Sequence, residues 1–294
     1  MKKRMLWLAY ALFGRRLADS LLMEYMNLTC RNKNLRKLIR QNKKFHNIHK
    51  GDRCFILGNG PSLRDVDLNL LKDEFVFTCN NFSLVKNYKN VKTNVHIWAD
   101  TSFFEMREDQ KYDHEELMEN YRKIAEEKPI CFFYDAAFDF VKKNNLDQIL
   151  DVNYYSVFGS FVDSKVRNQF NLANYISGYS TVVQYAISIA VYMGFDEIYL
   201  LGCDSTNVAS MINCAMGIRN EGMHAYDKDD VNERYTEILN HLKMTDLLYD
   251  QYYMFEGYQT LKNECDKRNI KLINCSSKTI VNELPRKELK EVLA

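Results

Sequence analysis

The chain of 294 residues carries 40 Lys and Arg against 39 Asp and Glu, a net charge of +1, which gives no basis for a nucleic-acid or acidic partner. Hydrophobic residues at 46%, charged residues at 27% and only 3 prolines and 11 glycines describe one large globular domain with little room for linkers or low-complexity tracts. Eight cysteines are scattered without a CxxC pair, several inside apolar runs. This spacing argues for free thiols in a reducing cytoplasm and against a paired-ligand zinc site.

Residues 5–13 (MLWLAYALF) are apolar and bracketed by Lys2, Lys3, Arg4 and by Arg15, Arg16. They are too few to cross a hydrocarbon core of about 30 Å, and the arginines stand where a signal-peptide cleavage site belongs. Such a segment lies in a membrane interface or packs on protein, a second subunit included. Leu21, Leu22, Tyr25 and Met26, then Leu35, Leu38 and Ile39, continue at helical spacing. Residues 31–50 hold eight Lys and Arg and no acid. This is a solvated face, or a surface for an anionic membrane or lipid-linked acceptor. Residues 1–50 are therefore expected to form a basic, amphipathic helical extension of a cytoplasmic protein, either peripheral on the inner face of the membrane or packed on protein.

From residue 52 short apolar runs at 54–57, 75–79, 95–99, 129–133, 197–201 and 271–275 alternate with helical patterns. They predict an α/β fold over residues 51–285, with a single Rossmann-like, mostly parallel sheet flanked by helices and a C-terminal helix at 286–294. Ligands of such sheets bind beyond the C-terminal ends of the strands. The first strand ends in Gly58-Asn59-Gly60-Pro61-Ser62-Leu63, followed by a helix-like pattern. Its glycines would let the backbone approach a phosphate, and Asn59 can donate or accept a hydrogen bond, although the P-loop Lys and a third glycine are missing. Asn80 and Asn81 end the second strand, Asp100 the third, and Asp204 follows the run at 197–201. Ser180 and Thr181 cap a helix at 182–193, whose N-terminus is a second position for an anion.

Residues 135–176 are aromatic and irregular, an acceptor-side insertion, a lid or a peripheral subdomain. Residues 205–235 read as a mobile loop containing His224, Tyr226 and Asp227. His96, inside an apolar strand, reads as a satisfied core residue. Asp65-Val66-Asp67 has a DxD pattern but falls at a helix start. For Asp100 and Asp204 capping and function stay open.

GNGPSL at 58–63, CNNF at 79–82, the block 181–204, HAY at 224–226 and KLINCSS at 271–277 together resemble a bacterial family described as 6-hydroxymethylpterin diphosphokinase-like. The pattern is similar also to family 42 of the glycosyltransferases, the bacterial sialyltransferases, over about residues 52–280. The resemblance implies a GT-A-like fold and an inverting transferase of surface polysaccharide or glycoconjugate assembly. It would use a nucleotide-activated, CMP-linked sugar and a saccharide or lipid-linked acceptor, with no cofactor. Asn59 and Asn80 would meet the CMP phosphate, ribose or base, with Gly58, Gly60, Ser62 and Asn81 around them. Ser180 and Thr181 would lie near the phosphate or the donor carboxylate, Tyr179 and Tyr226 near the leaving group or acceptor, and His224 would be the general base. Two departures stand out. Ser205, Thr206 and Asn207 follow Asp204 where the family's leaving-group tyrosines find no match, and Asp100 replaces an asparagine. A carboxylate there repels an anionic donor. It suits instead a diphosphokinase in which Asp100 and Asp204 hold Mg²⁺. A nucleotide-binding scaffold at the membrane and a homo-oligomer are further expectations.

Overall fold

Strand β1 (Arg53–Leu57) is buried from Cys54 to Leu57, as an apolar run without a polar face must be. The computed structural model describes residues 32–104, 114–160, 170–218, 222–227 and 243–294. The apolar run at 5–13 and the helical pattern up to residue 31 lie outside them. β1 pairs with β2 (Val76–Cys79), followed outward by β3 (Val95–Trp98), β4 (Ile130–Tyr134) and β5 (Asp151–Tyr155). The chain then returns to the other side of β1 with β9 (Glu197–Leu201) and ends the sheet with β10 (Lys271–Asn274). All six pairings are parallel. The seven-stranded parallel sheet agrees with the expected fold class, and the strand order reverses at β1. The crevice between β1 and β9 is thus the place where an open α/β sheet binds its ligand.

Alternation along each strand divides the core between two faces. Cys54 and Ile56 of β1 and Ile198 and Leu200 of β9 share one cluster with Ala186, Ile187 and Ala190 of α4 (Val182–Met193) and with Tyr258 and Leu261 of α6 (Met244–Asp266). Phe55, Leu57, Tyr199 and Leu201 point the other way, onto Leu63, Leu68 and Leu71. Thr181 caps α4 by accepting from the Gln184 amide. Gly194, at φ 94°, ends it in the left-handed conformation that glycine adopts without steric cost. A fully buried Ile or Leu here contributes about 1.5–3 kcal/mol, so Ile187 at the centre of α4 is a position where truncation opens the core.

Several expectations are corrected. The helix after the first strand is two 3₁₀ turns, Pro61–Asp65 and Leu68–Leu71, because Asp67 accepts from the Asn69 amide and restarts the chain between them. Residues 135–176 are not merely irregular. They include α3 (Phe138–Lys143), edge strand β5 and most of a three-stranded sheet of β6 (Val157–Ser160), β7 (Phe170–Asn171) and β8 (Tyr175–Gly178). The stretch at 205–235 contains α5 (Asn207–Ala215). The C-terminal helix is shorter than expected, α7 (Leu289–Leu293), since Arg286 bridges to Asn274. Among the described residues the remaining helices are α1 (Lys33–Gln41), packed on β5, and α2 (His114–Glu126). Seven described cysteines are buried free thiols.

Candidate active site

The turn after β1 is built against the turn after β9. A Cβ on Gly58 would sit 2.5 Å from the Gly202 carbonyl oxygen, and one on Gly60 would sit 2.6 Å from the same atom. The glycines therefore admit a second backbone, and the close approach is protein against protein rather than protein against phosphate. Their amides are spent in the same way. Gly58 donates to Leu201 O and Gly60 to Gly202 O, both at 2.8 Å, and Leu63 donates to Gly60 O at 3.0 Å. Ser62 is fully buried and donates its amide at 2.6 Å and its hydroxyl to the two oxygens of Asp204. This corrects the phosphate-cradle reading of Gly58, Gly60 and Ser62, whose donors already have acceptors.

Asp204 is 2% exposed, and burial pushes its carboxyl up while the Ser62 hydroxyl and amide pull it back. Its backbone is clamped from β10. Thr279 Oγ1 donates to Cys203 O at 2.9 Å, Ile280 donates to Asp204 O at 3.0 Å, and Ser276 Oγ accepts from the Cys203 amide at 2.8 Å. The segment from Asn274 to Ile280 thus acts as a brace for residues 203 and 204. Asp204 joins the two turns at the strand reversal; both its oxygens face Ser62, which leaves it poorly placed for proton transfer or a cation.

Two asparagines project at the ends of β1 and β2. Asn59 donates from Nδ2 to Cys79 O at 2.9 Å, which orients its amide, and its Oδ1 is buried without a partner. An orphaned carbonyl oxygen accepts from a hydroxyl or amino group and repels a phosphate oxygen, so Asn59 suits a ribose or base. Asn80 adopts φ 48°, and its Oδ1 is likewise buried without a partner. The left-handed backbone of Asn80 is held by its amide to Ile97 O at 2.9 Å and by His96, whose Nε2 lies 3.0 Å from Asn80 O. Since that carbonyl only accepts, Nε2 carries the proton and Nδ1 accepts from Thr78 Oγ1 at 2.6 Å. Burial drives the His96 pKa down to about 3, keeping the ring neutral. The core histidine is satisfied, as expected, and it also positions Asn80. Asn81 turns inward, where Asn120 Nδ2 donates to its Oδ1 at 3.4 Å, so it shapes the strand end from inside.

The HAY segment docks on this turn. Ala225 donates to Asn59 O at 2.7 Å. Arg64 donates to His224 O at 2.8 Å and to the Ala225 and Asp227 carbonyls, both at 3.0 Å. One Asp227 oxygen accepts from the amides of Met223 and His224 at 2.8 and 2.9 Å and lies 3.4 Å from His224 Nδ1. Burial acts to raise the Asp227 carboxyl, but His224 and the two amides outweigh it and bring its pKa down to about 2. Tyr226 stacks on the His224 ring at 4.9 Å and 7°. With Nδ1 buried and the side chain 36% exposed, the open edge of the ring is the one that bears Nε2. His224 Nδ1 is thus buried without a hydrogen-bond partner, with the Asp227 carboxylate beside it as a charge neighbour, and a partly exposed histidine next to a carboxylate is a candidate base. Sequence reading named Asp227 only as a neighbour, although Asp three residues after His was a usable signal. Nothing in the sequence pointed to Arg64.

The other candidates are placed as follows. Asp100 is exposed and accepts from the Ser102 amide at 2.9 Å, capping a 3₁₀ turn. Ser180 is exposed at the start of α4, and its amide donates to Gln184 Oε1 at 3.1 Å. Thr181 Oγ1 accepts from the Gln184 amide at 3.3 Å and so caps α4. Tyr179 is corrected. It is 8% exposed, lies at 5.5 Å from Tyr185 in an edge contact, and its amide donates to the Tyr185 hydroxyl at 3.0 Å, so it faces the core and not a leaving group. Among the described residues no three His, Cys, Asp or Glu side chains gather to hold a metal ion. The Asp100–Asp204 pair does not fit the Mg²⁺ role, because Asp204 is buried with both oxygens on Ser62.

A parallel α/β sheet with its polar side chains converging at the strand reversal defines the class of protein. Within that class, residues 30–208 match the family described as 6-hydroxymethylpterin diphosphokinase MptE-like, and the chain belongs to it. No curated protein matches the chain. Among solved structures it is similar to the sialyltransferase CstII from Campylobacter jejuni in complex with a substrate analogue, cytidine-5'-monophosphate. The identity is 21%, covering 81% of this chain and 85% of that one, with a TM-score of 0.42.

Proposed function

We propose that this protein is a glycosyltransferase that takes a sugar from a nucleotide donor, with His224 as general base. The observation that carries the reading is the meeting, at the end of β1, of two buried acceptor atoms, Asn59 Oδ1 and Asn80 Oδ1, with a segment docked on the Asn59 carbonyl whose His224 lies 3.4 Å from a carboxylate. The acceptors suit the base or ribose of a nucleotide. His224 Nε2 takes the proton of an acceptor hydroxyl, whose oxygen bonds to the anomeric carbon as the bond from that carbon to the phosphate oxygen breaks. The nucleotide leaves with the electron pair, and configuration at the anomeric carbon inverts. Asp227, ionised above about pH 2, stabilises the imidazolium formed. The motif resemblance makes CMP-linked sugars the first donors to test and a surface saccharide or lipid-linked saccharide the acceptor.

The family description favours a second reading, a Mg²⁺-dependent diphosphokinase acting on a hydroxymethyl group. The two are separated by measuring CMP release from a CMP-activated sugar in EDTA, with a saccharide acceptor panel. Release that collapses in His224→Ala supports the transferase. Release by neither form, with AMP appearing from ATP only when Mg²⁺ is added, overturns it.

A further inference from the structure

Lys33, Lys37, Arg40, Lys43, Lys44 and Lys50 are all exposed, and none takes part in an ion pair among the described residues. Between residues 31 and 51 the sequence holds no Asp or Glu, so the cations have no acid of their own segment to face. The segment is nevertheless fastened to the fold. Ile39 is 1% exposed. Asn42 Nδ2 donates to Tyr154 O at 2.7 Å and to Leu172 O at 3.1 Å. Phe45 meets Phe132 edge-on at 5.3 Å, while Lys44 lies over the Phe45 ring at 4.7 Å. Asn47 and His49 donate their amides to Tyr192 O and Met193 O at 3.1 and 2.9 Å, and the His49 ring stacks on Phe195 at 4.5 Å. A solvated tail would have no such anchors, so the charges belong to a fixed face. Ile48 stands among them, 49% exposed.

The place of this face matters. Residues 47–50 lie against the end of α4 and Phe195, where β9 is about to begin at Glu197. Asn59, Asn80 and His224 lie where the strands finish. An object bound at residues 47–50 therefore lies at the end of the sheet opposite Asn59, Asn80 and His224. The nearest acid in the chain, Asp52, is turned to His49 at 3.0 Å.

We propose that residues 33–50 are a docking face for an anionic bilayer. Unneutralised cations on a fixed surface attract acidic headgroups, and each is worth about fivefold in affinity close to such a surface. Ile48 supplies an apolar contact at the same face. Upstream, residues 5–13 are apolar between clusters of cations, the composition of an interfacial segment. Two weak membrane signals in one chain give anchoring that neither gives alone. No helix among the described residues is long and apolar enough to cross a membrane, so the association is peripheral over that part of the chain.

Flotation of the full chain with vesicles tests the face independently of the reaction. Binding is expected to vesicles of phosphatidylcholine with phosphatidylglycerol and not to phosphatidylcholine alone. It should be released as salt rises from about 0.1 M to about 1 M, since screening then acts within about 3 Å. The variant Lys37→Glu/Arg40→Glu/Lys43→Glu/Lys44→Glu changes only exposed side chains and should bind at least about a hundredfold more weakly. His224→Ala should bind as the unmodified chain does. Equal binding to neutral vesicles overturns the proposal, and so does undiminished binding by a charge-reversed chain whose circular dichroism shows that it is folded.

Discussion

At Asp227 a single carboxylate oxygen collects the amides of Met223 and His224 and the ring of His224. The two amide bonds fix the loop, and the carboxylate stands beside the imidazole as its charge neighbour. Asp227→Asn should therefore lower turnover with little effect on nucleotide affinity, whereas His224→Ala should lower it about 10²–10⁴-fold, measured as kcat against Kd for the nucleotide. The Asp227 carboxyl has its pKa below the ordinary 3.8, at about 2, so its stabilisation of the folded state is complete above the ordinary value and is lost as pH falls towards about 2. Acid titration of the unmodified protein and of Asp227→Asn should differ in that window, with the variant flatter. At the end of β2 the buried His96 offers another test. His96→Leu removes the donor to Asn80 O and leaves a buried carbonyl unpaired, a cost of about 1–3 kcal/mol. His96→Gln, which can still donate there, should recover part of both the melting temperature and the nucleotide affinity.

The functional element is the pair of turns after β1 and β9. Gly58 and Gly60 read in the sequence as room for a ligand, and in the structure they are room for Gly202 and Asp204. The residue types were legible, but the partner was not, because it lies more than 140 positions away and depends on which strands are neighbours. Asn59 was legible for the opposite reason, since its place at a strand end follows from local pattern alone. Tyr179 misled because a helix-start tyrosine carries no mark of the side it takes, and packing against Tyr185 decided it. Gly60→Ala would put a methyl 2.6 Å from Gly202 O and 2.7 Å from the Asp204 carboxylate. It should destabilise by about 1–3 kcal/mol, read as a lower denaturant midpoint at an unchanged slope. Asp204→Ala should act in the same direction by stranding the Ser62 amide.

For the molecule as a whole, alternation of apolar runs and helical patterns sufficed for the parallel α/β class and for six of the strands. β5 escaped because its residues, DVNYY, lack the apolar run by which the others were found. The β6–β8–β7 sheet escaped because its strands, VFGS, FN and YISG, mix small and polar residues with the apolar ones and offer no apolar run. What no local pattern contains is the strand order, and it is the order that places β9 beside β1 and turns a row of polar strand ends into one crevice. The same fold sets residues 47–50 at the end of the strands opposite Asn59 and Asn80.

The central claim is that this crevice holds a nucleotide through Asn59. It is tested most directly by the melting temperature of the full chain with CMP in EDTA, for the unmodified protein and for Asn59→Leu. The account predicts that CMP raises the melting temperature without metal and that the rise vanishes in Asn59→Leu while the unliganded variant stays folded. A rise seen only with ATP and Mg²⁺, or a CMP rise that survives in Asn59→Leu, would contradict it.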